Sequence, residues 1–310
     1  MTQPQHVYWR RRLTALAGVA GVVVAAALLS GNGGADGEPQ RAANAAQEPP
    51  PELPRGGLSV LPEHRVVAFY GAPQSRDLGA LGIGTPVAAA RRLVRQARDY
   101  GRRNRPELPA LELIAVIANA HAGDDGMYRA RQPDKVIRRY LNAARRAKAL
   151  LLLDIQPGRS DFFTETTRLE KWLKQPDVGL ALDPEWRVAD GQIPGQVIGR
   201  VSSREVNATS AWLDQLVERN RLPEKLFVIH QFTDDMVDHT TLKRRERLAT
   251  VLNVDGFGGQ EIKKAKYRRF AREAREFHPG FKLFFEEDTD LMTPRQVMRM
   301  KPRPDLIVYE

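Results

Sequence analysis

An apolar run ends in two carboxylates in the segment GLALDPEW, which extends from Gly179 to Trp186. Because alternate side chains of a β-strand share a face, Asp183 and Glu185 would lie together on the face of the small residues, and the leucines on the other. Carboxylates grouped in a partly desolvated site repel each other, which keeps one of them protonated near neutral pH. A proton donor beside an ionised carboxylate is the arrangement that cleaves glycosidic bonds.

The preceding apolar run repeats this pattern in ALLLLDIQ, from Ala149 to Gln156. The same alternation puts Asp154 and Gln156 on the inner face, so Asp154 would lie beside Asp183 on the neighbouring strand. We therefore predict Glu185, Asp183 and Asp154 as the catalytic residues.

Polar and aromatic side chains also end the other predicted strands. In a closed barrel the carboxyl ends of all strands meet at one mouth, where barrel enzymes build their active sites. We expect these groups to bind sugar hydroxyls or to stack on sugar rings. The predicted substrate-binding residues are Tyr70, Asn119, Gln156, Trp186, His230, Asp255 and Glu286.

The positioning elements are about eight short apolar runs that alternate with segments of helical periodicity, the pattern of repeated βα units. The predicted strands are Val66 to Gly71, Leu111 to Asn119, Ala149 to Gln156, Val178 to Glu185, Leu226 to Gln231, Thr250 to Asp255, Lys282 to Glu287 and Asp305 to Glu310. The predicted helices are Val87 to Arg103, Lys135 to Lys148, Phe162 to Lys174, Ser203 to Asn220, Thr241 to Arg247, Glu261 to Phe277 and Pro294 to Met300.

This order predicts an α/β fold, a (β/α)8 barrel of the TIM type. The main rival is an open doubly wound sheet, whose dinucleotide-binding form carries a G-x-G-x-x-G turn after its first strand. The glycines that follow VVAFYG do not have that spacing. Long loops after the strands and short loops before them also favour a barrel with one elaborated face.

The first residues combine a basic cluster, His6 to Arg12, with an uncharged apolar run, Leu13 to Leu29. This combination indicates a signal peptide or membrane anchor over residues 1–29. Residues 30–57 are rich in Gly, Ala and Pro and are interpreted as a disordered linker. The barrel domain is therefore predicted over residues 58–310, outside the cytoplasm, either secreted or tethered to the membrane. It would hold its fold without disulfides, because the chain has no cysteine.

Composition and charge restrict the class of partner. The chain is 42% hydrophobic and 28% charged, which excludes global disorder. Its net charge of +10 is distributed over helix-like segments and is not gathered into one block with interleaved aromatics. For an exported protein this favours an anionic wall polymer or membrane surface over nucleic acid.

The Asp-x-Glu of LDPEW at the end of a central strand resembles that of the N,O-diacetylmuramidase class of lysozymes. The segments LDIQPGRSDF and LALDPEWR also resemble uncharacterised exported TIM-barrel proteins grouped near glycoside hydrolases. The resemblance implies that Glu185 is the general acid, that Asp183 is its companion, and that the substrate is a cell-envelope polysaccharide. Those muramidases open their first strand with an aspartate, whereas this chain offers Tyr70.

Two alternatives remain open from the sequence. The first is a cell-wall glycan-binding barrel without turnover, because fold alone does not decide function. The second is a metal-dependent hydrolase that uses His121, Asp124 and Asp125 of AHAGDDG, since imidazole and carboxylates are metal ligands. The leading hypothesis uses no cofactor and assigns no metal.

Overall fold

A computed structural model describes residues 49–310 of the chain. The predicted signal or anchor segment, and the predicted linker up to residue 48, lie outside the described residues. Within residues 49–310, no helix combines the length and the apolarity that crossing a bilayer requires.

Eight parallel strands close into a barrel with helices between them, as the sequence predicts. The strands run β1 (Arg65–Gly71), β2 (Glu107–Ala118), β3 (Arg129–Arg131), β4 (Leu150–Ile155), β5 (Val178–Leu182), β6 (Lys225–Gln231), β7 (Leu248–Val254), β8 (His278–Leu283) and β9 (Leu306–Tyr309). Closure comes from β1, which pairs with both β2 and β9. The short β3 is the one antiparallel strand in the described sheet, and it pairs with the end of β2.

The α-helices of the described chain are α1 (Pro86–Ala97), α2 (Asp134–Arg146), α3 (Phe162–Arg168), α4 (Glu170–Leu173), α5 (Ser203–Arg219), α6 (Gln260–Glu273) and α7 (Pro294–Val297). Side-chain caps fix several starts: Thr85, Asp161, Ser202 and Thr293 each accept a hydrogen bond from a backbone N–H of the first turn.

The predicted helix from Thr241 to Arg247 is wrong. A single 3-10 turn, His239–Thr241, and a loop connect β6 to β7 instead. The side chain of Asn207 on α5 accepts from the Lys243 N–H and donates to the Thr241 carbonyl. The Thr241 carbonyl and the Lys243 N–H therefore form their hydrogen bonds with a side chain of α5 and not within a helix of their own.

Two apolar clusters fill the domain, one between strands and helices and one inside the barrel. Along β4, Leu151 and Leu153 join the outer cluster and Leu152 joins the inner one, as the predicted alternation requires. Asp154 is on the inner face with Leu152, which confirms the direction of the acidic strand ends.

The segment that precedes β1 closes the bottom of the barrel. Leu53, Val60 and Leu61 pack into the inner cluster. The Glu224 carboxylate, just before β6, accepts from the backbone N–H groups of Val60 and Leu61 at 2.6 and 3.1 Å. The folded part therefore begins before the predicted boundary at residue 58, because the apolar side chain of Leu53 has a place in the core.

We expect Leu61→Ala to lower the free energy of unfolding by about 2 to 5 kcal/mol, because a buried leucine leaves a cavity at the barrel floor. Urea unfolding followed by circular dichroism measures this. Leu58→Ala is the matched control: Leu58 is 47% exposed, so its loss should change stability by less than about 0.5 kcal/mol. Equal effects of the two changes would show that the segment is not part of the core.

Candidate active site at the barrel mouth

The uppermost layer of side chains inside the barrel is polar, whereas the layers below it are apolar. Each polar residue stands two positions after a small or apolar lumen residue, as Asp154 follows Leu152 and His230 follows Val228. Strand pleating therefore aims all of them into one space. The layer consists of Tyr70, Glu112, Asp154, His230, Asn253, Lys282 and Glu310, each at most 7% exposed.

Four residues of this layer, together with Asp255, form a row of alternating charges. The His230 ring contacts the Glu112 Oε1 through Nε2 at 3.0 Å and the Asp255 Oδ2 through Nδ1 at 3.1 Å. The Lys282 Nζ lies 3.2 Å from Asp255 Oδ2 and 2.8 Å from Glu310 Oε2. Each cation is thus held between two carboxylates, which fixes the floor of the mouth.

The neighbouring charges shift the pKa values of His230 and Asp255 in opposite directions. Burial favours a lower pKa for His230, but the charge of Asp255 and the hydrogen bonds to Asp255 and Glu112 raise that pKa well above its usual range. Burial favours a higher pKa for Asp255, but the neighbouring Lys282 and His230 lower it far below its usual range. The His230 ring therefore lies between the Glu112 and Asp255 carboxylates.

Tyr70 connects the two predicted catalytic aspartates. Its hydroxyl lies 3.4 Å from Asp154 Oδ2 and 3.2 Å from Asp183 Oδ2. Gln156 fixes that hydroxyl by donating from Nε2 at 2.8 Å, while its own Oε1 accepts from the Ala118 N–H. Burial, followed by the charge of Asp183, raises the pKa of Asp154 well above its usual range. The structure thus brings Asp154 and Asp183 together around one hydroxyl.

The two acids of LDPEW do not share a strand face in the predicted way. Strand β5 ends at Leu182, and Pro184–Trp186 form a 3-10 turn, since Pro184 lacks an N–H and cannot extend the ladder. The Gly199 N–H donates to the Glu185 carbonyl at 2.7 Å and holds this turn. Asp183 and Glu185 are nevertheless only 1% and 4% exposed, and Asp183 reaches the Tyr70 hydroxyl inside the mouth.

A further cation reaches the mouth from outside the barrel. Lys266 of α6 is half-buried, and its ammonium lies 4.3 Å from the centre of the Phe232 ring. Burial lowers the pKa of Lys266 to about 8, although Asp255 and Glu185 act in the opposite direction. The positive charge of Lys266 therefore attracts the negatively charged carboxylates at the rim.

Three of the predicted binding residues lie outside the polar layer of the mouth. Trp186 is 1% exposed and packs in the inner apolar cluster, so its ring offers no open face in this state. Asn119 follows β2, and its Oδ1 accepts from the His121 N–H at 3.0 Å. Glu286 lies beyond the end of β8 on the surface, where it pairs with Arg76 at 3.1 Å.

The alternative metal site in AHAGDDG does not form. Asp125 is exposed, pairs with Arg129 at 2.7 Å and accepts from the Met127 N–H, and Asp124 is also exposed. Among residues 49–310, the group of three metal-ligating side chains that does converge is Glu112, Asp154 and His230.

Sequence reasoning missed Glu112, Asn253, Lys282 and Lys266. Glu112 and Lys282 are charged residues inside apolar strands, which is a usable indication because such residues are rarely buried unless they are paired. The predicted strand from Lys282 to Glu287 put Lys282 at the start of a strand. In the structure β8 runs His278–Leu283, so Lys282 lies near its end, at the mouth. Lys266 is on a helix, and no strand pattern points to it.

Comparisons with known proteins assign no family to the chain. No protein family matches the chain, and no curated protein matches it significantly. One similar solved structure is a catalytic-lysine mutant of the sialic acid aldolase of Ruminococcus gnavus, with a TM-score of 0.40 and 9% identity over 80% of this chain and 67% of that one. The closed eight-stranded barrel is established by the strand pairing itself.

Proposed function

We propose that the barrel is a glycoside-hydrolase-like enzyme that cleaves a cell-envelope polysaccharide by carboxylate acid/base catalysis. The observation that carries this proposal is the meeting of Asp154 and Asp183 around the Tyr70 hydroxyl in a buried barrel mouth, with Glu185 buried in the turn that follows β5. Acids so arranged from neighbouring strands provide the two carboxyl roles that glycosidic cleavage requires.

In the proposed mechanism, Glu185 donates a proton to the oxygen of the departing sugar as the glycosidic C–O bond breaks. A water molecule forms the new bond to the anomeric carbon and gives its proton to a carboxylate of the site. Asp183 remains ionised, is oriented by the Tyr70 hydroxyl, and stabilises the positive charge that develops on the sugar ring. Lys266 at the rim lies close enough to Glu185 for their charges to interact. A glycan then takes the position above these groups, where water is excluded.

Access to the acids requires movement of the loops that cover them, because Asp183 and Glu185 keep so little exposed surface. The segment Gly256 to Gly259 follows β7 and carries Phe257, which stacks on Phe232 with ring centres 6.5 Å apart. Gly256 and Gly258 have φ values of 129° and 128°, which only glycine adopts readily.

Charge supports the proposed partner, and the basic and apolar amino-terminal segment supports the proposed location. The cavity between α6 and α7 has a volume of about 540 Å³ and is lined by four cations, Lys264, Arg268, Arg299 and Lys301. Together with the net charge of +10, this surface suits an anionic wall polymer or membrane surface outside the cytoplasm.

The direct test is to incubate the purified full-length protein with peptidoglycan and chitooligosaccharides and to measure new reducing ends. Release of reducing ends supports the enzyme. Saturable binding without release supports the alternative, a glycan-binding barrel that lacks turnover. Neither binding nor release across both polymers would contradict both functions.

A further inference from the structure

We propose that Glu112, Asp154 and His230 form a binding site for one divalent transition-metal cation at the floor of the mouth. Their candidate donor atoms all lie within 4.8 Å of one another, and the three side chains are at most 1% exposed. The site goes beyond the proposed function, because it shares only Asp154 with the three proposed catalytic acids and uses neither Glu185 nor Asp183.

The spacing of the donor atoms suits a shared cation. Glu112 Oε1 lies 3.0 Å from His230 Nε2, and Asp154 Oδ1 lies 3.9 Å from the same nitrogen. In a tetrahedral site with metal–ligand bonds of about 2.1 Å, ligand atoms are about 3.4 Å apart. The observed distances fall on either side of that value, so small side-chain rotations suffice.

An independent observation comes from the carboxylate oxygens. Glu112 Oε2 and Asp154 Oδ1 are fully buried and have no hydrogen-bond partner among the described residues. A buried carboxylate oxygen without a donor is costly, and most native structures avoid it. A single cation bound by both carboxylates would compensate the two oxygens together.

The surroundings of His230 complete a metal-binding arrangement. Its Nδ1 faces Asp255 Oδ2 at 3.1 Å, and Asp255 is in turn held by Lys282 and Asn253. A histidine that donates one ring N–H to a carboxylate presents its other nitrogen to a metal in a fixed orientation. Imidazole with two carboxylates suits Zn²⁺ or Mn²⁺ better than Ca²⁺ or Mg²⁺.

The test uses the full-length protein, purified without a metal-affinity tag and dialysed against a chelator. Zn²⁺ is titrated in, with Mn²⁺ in parallel, and bound metal per chain and the thermal unfolding midpoint are measured. We expect one tightly bound ion and a higher midpoint for at least one of the two metals. Glu112→Gln and Asp154→Asn should each weaken binding at least about 100-fold, and Asp255→Asn about 10- to 100-fold.

Asp125→Asn is the matched control, because it removes an exposed carboxylate remote from the trio, and it should leave affinity unchanged. X-ray absorption of the loaded parent needs no variant and should show one imidazole nitrogen with oxygen ligands at about 2.0 to 2.2 Å. Absence of stoichiometric binding by the parent, or unchanged binding by Glu112→Gln, would overturn the proposal. Both readouts are independent of turnover, so failure of the proposed glycosidase activity leaves them unaffected.

Discussion

Glu185→Gln should lower kcat/KM on an unactivated glycan by about 10²- to 10⁴-fold, the usual contribution of a general acid. The same variant should keep most of its activity on a dinitrophenyl glycoside of N-acetylglucosamine, because that leaving group departs without a proton. Reducing-end assays on the glycan and absorbance of the released phenol measure the two rates.

Asp183→Asn is the companion variant. It should lower the rate on the glycan and the rate on the dinitrophenyl glycoside by a similar factor. Its carboxylate stabilises charge on the sugar ring, which develops whichever group departs. If Glu185→Gln is equally damaging on both substrates, or harmless on the glycan, Glu185 is not the proton donor. Circular dichroism of both variants controls for folding.

Lys282→Met should lower the free energy of unfolding by about 3 to 5 kcal/mol, the cost of removing one partner from a buried ion pair. The Lys282 ammonium is 1% exposed and lies between Asp255 and Glu310, so the variant leaves two buried carboxylates without it. Urea unfolding at neutral pH measures the loss.

Lys264→Met is the matched control, since Lys264 pairs with the exposed Glu261 at 3.0 Å and its loss should cost less than about 1 kcal/mol. The double change Lys282→Met with Glu310→Gln should recover part of the loss, because one stranded charge is removed. A cost of Lys282→Met no larger than that of the control would show that the row of alternating charges does not stabilise the floor of the mouth.

The barrel and the inward direction of its acids follow from local pattern. A period of two along ALLLLDIQ separates Leu151 from Leu152 and points Asp154 inward, and parallel register then pairs Asp154 with Ala181 of β5. These features depend on pleating and on apolar burial, which neighbouring residues determine. The sequence therefore predicts which face each strand presents.

Features that depend on distant partners were not predictable in this way. The loop after His239 lacks a helix because Asn207, on another element, takes its backbone hydrogen bonds. Lys282 is at the mouth because β8 ends at Leu283, a boundary set by pairing with β7 and β9 rather than by its own composition. Burial of Trp186 likewise depends on the loops packed over it.

The closed bottom of the barrel decides where the protein can be attached to a support. Leu53 and Leu61 lie at the end of the barrel opposite the acids, so a bead or biosensor surface joined just before Leu53 leaves the mouth facing solution. Glu310 is 7% exposed and pairs with Lys282 at 2.8 Å, so a bulky group attached beside it would lie next to the polar layer of the mouth. Immobilised assays should therefore use the amino-terminal side.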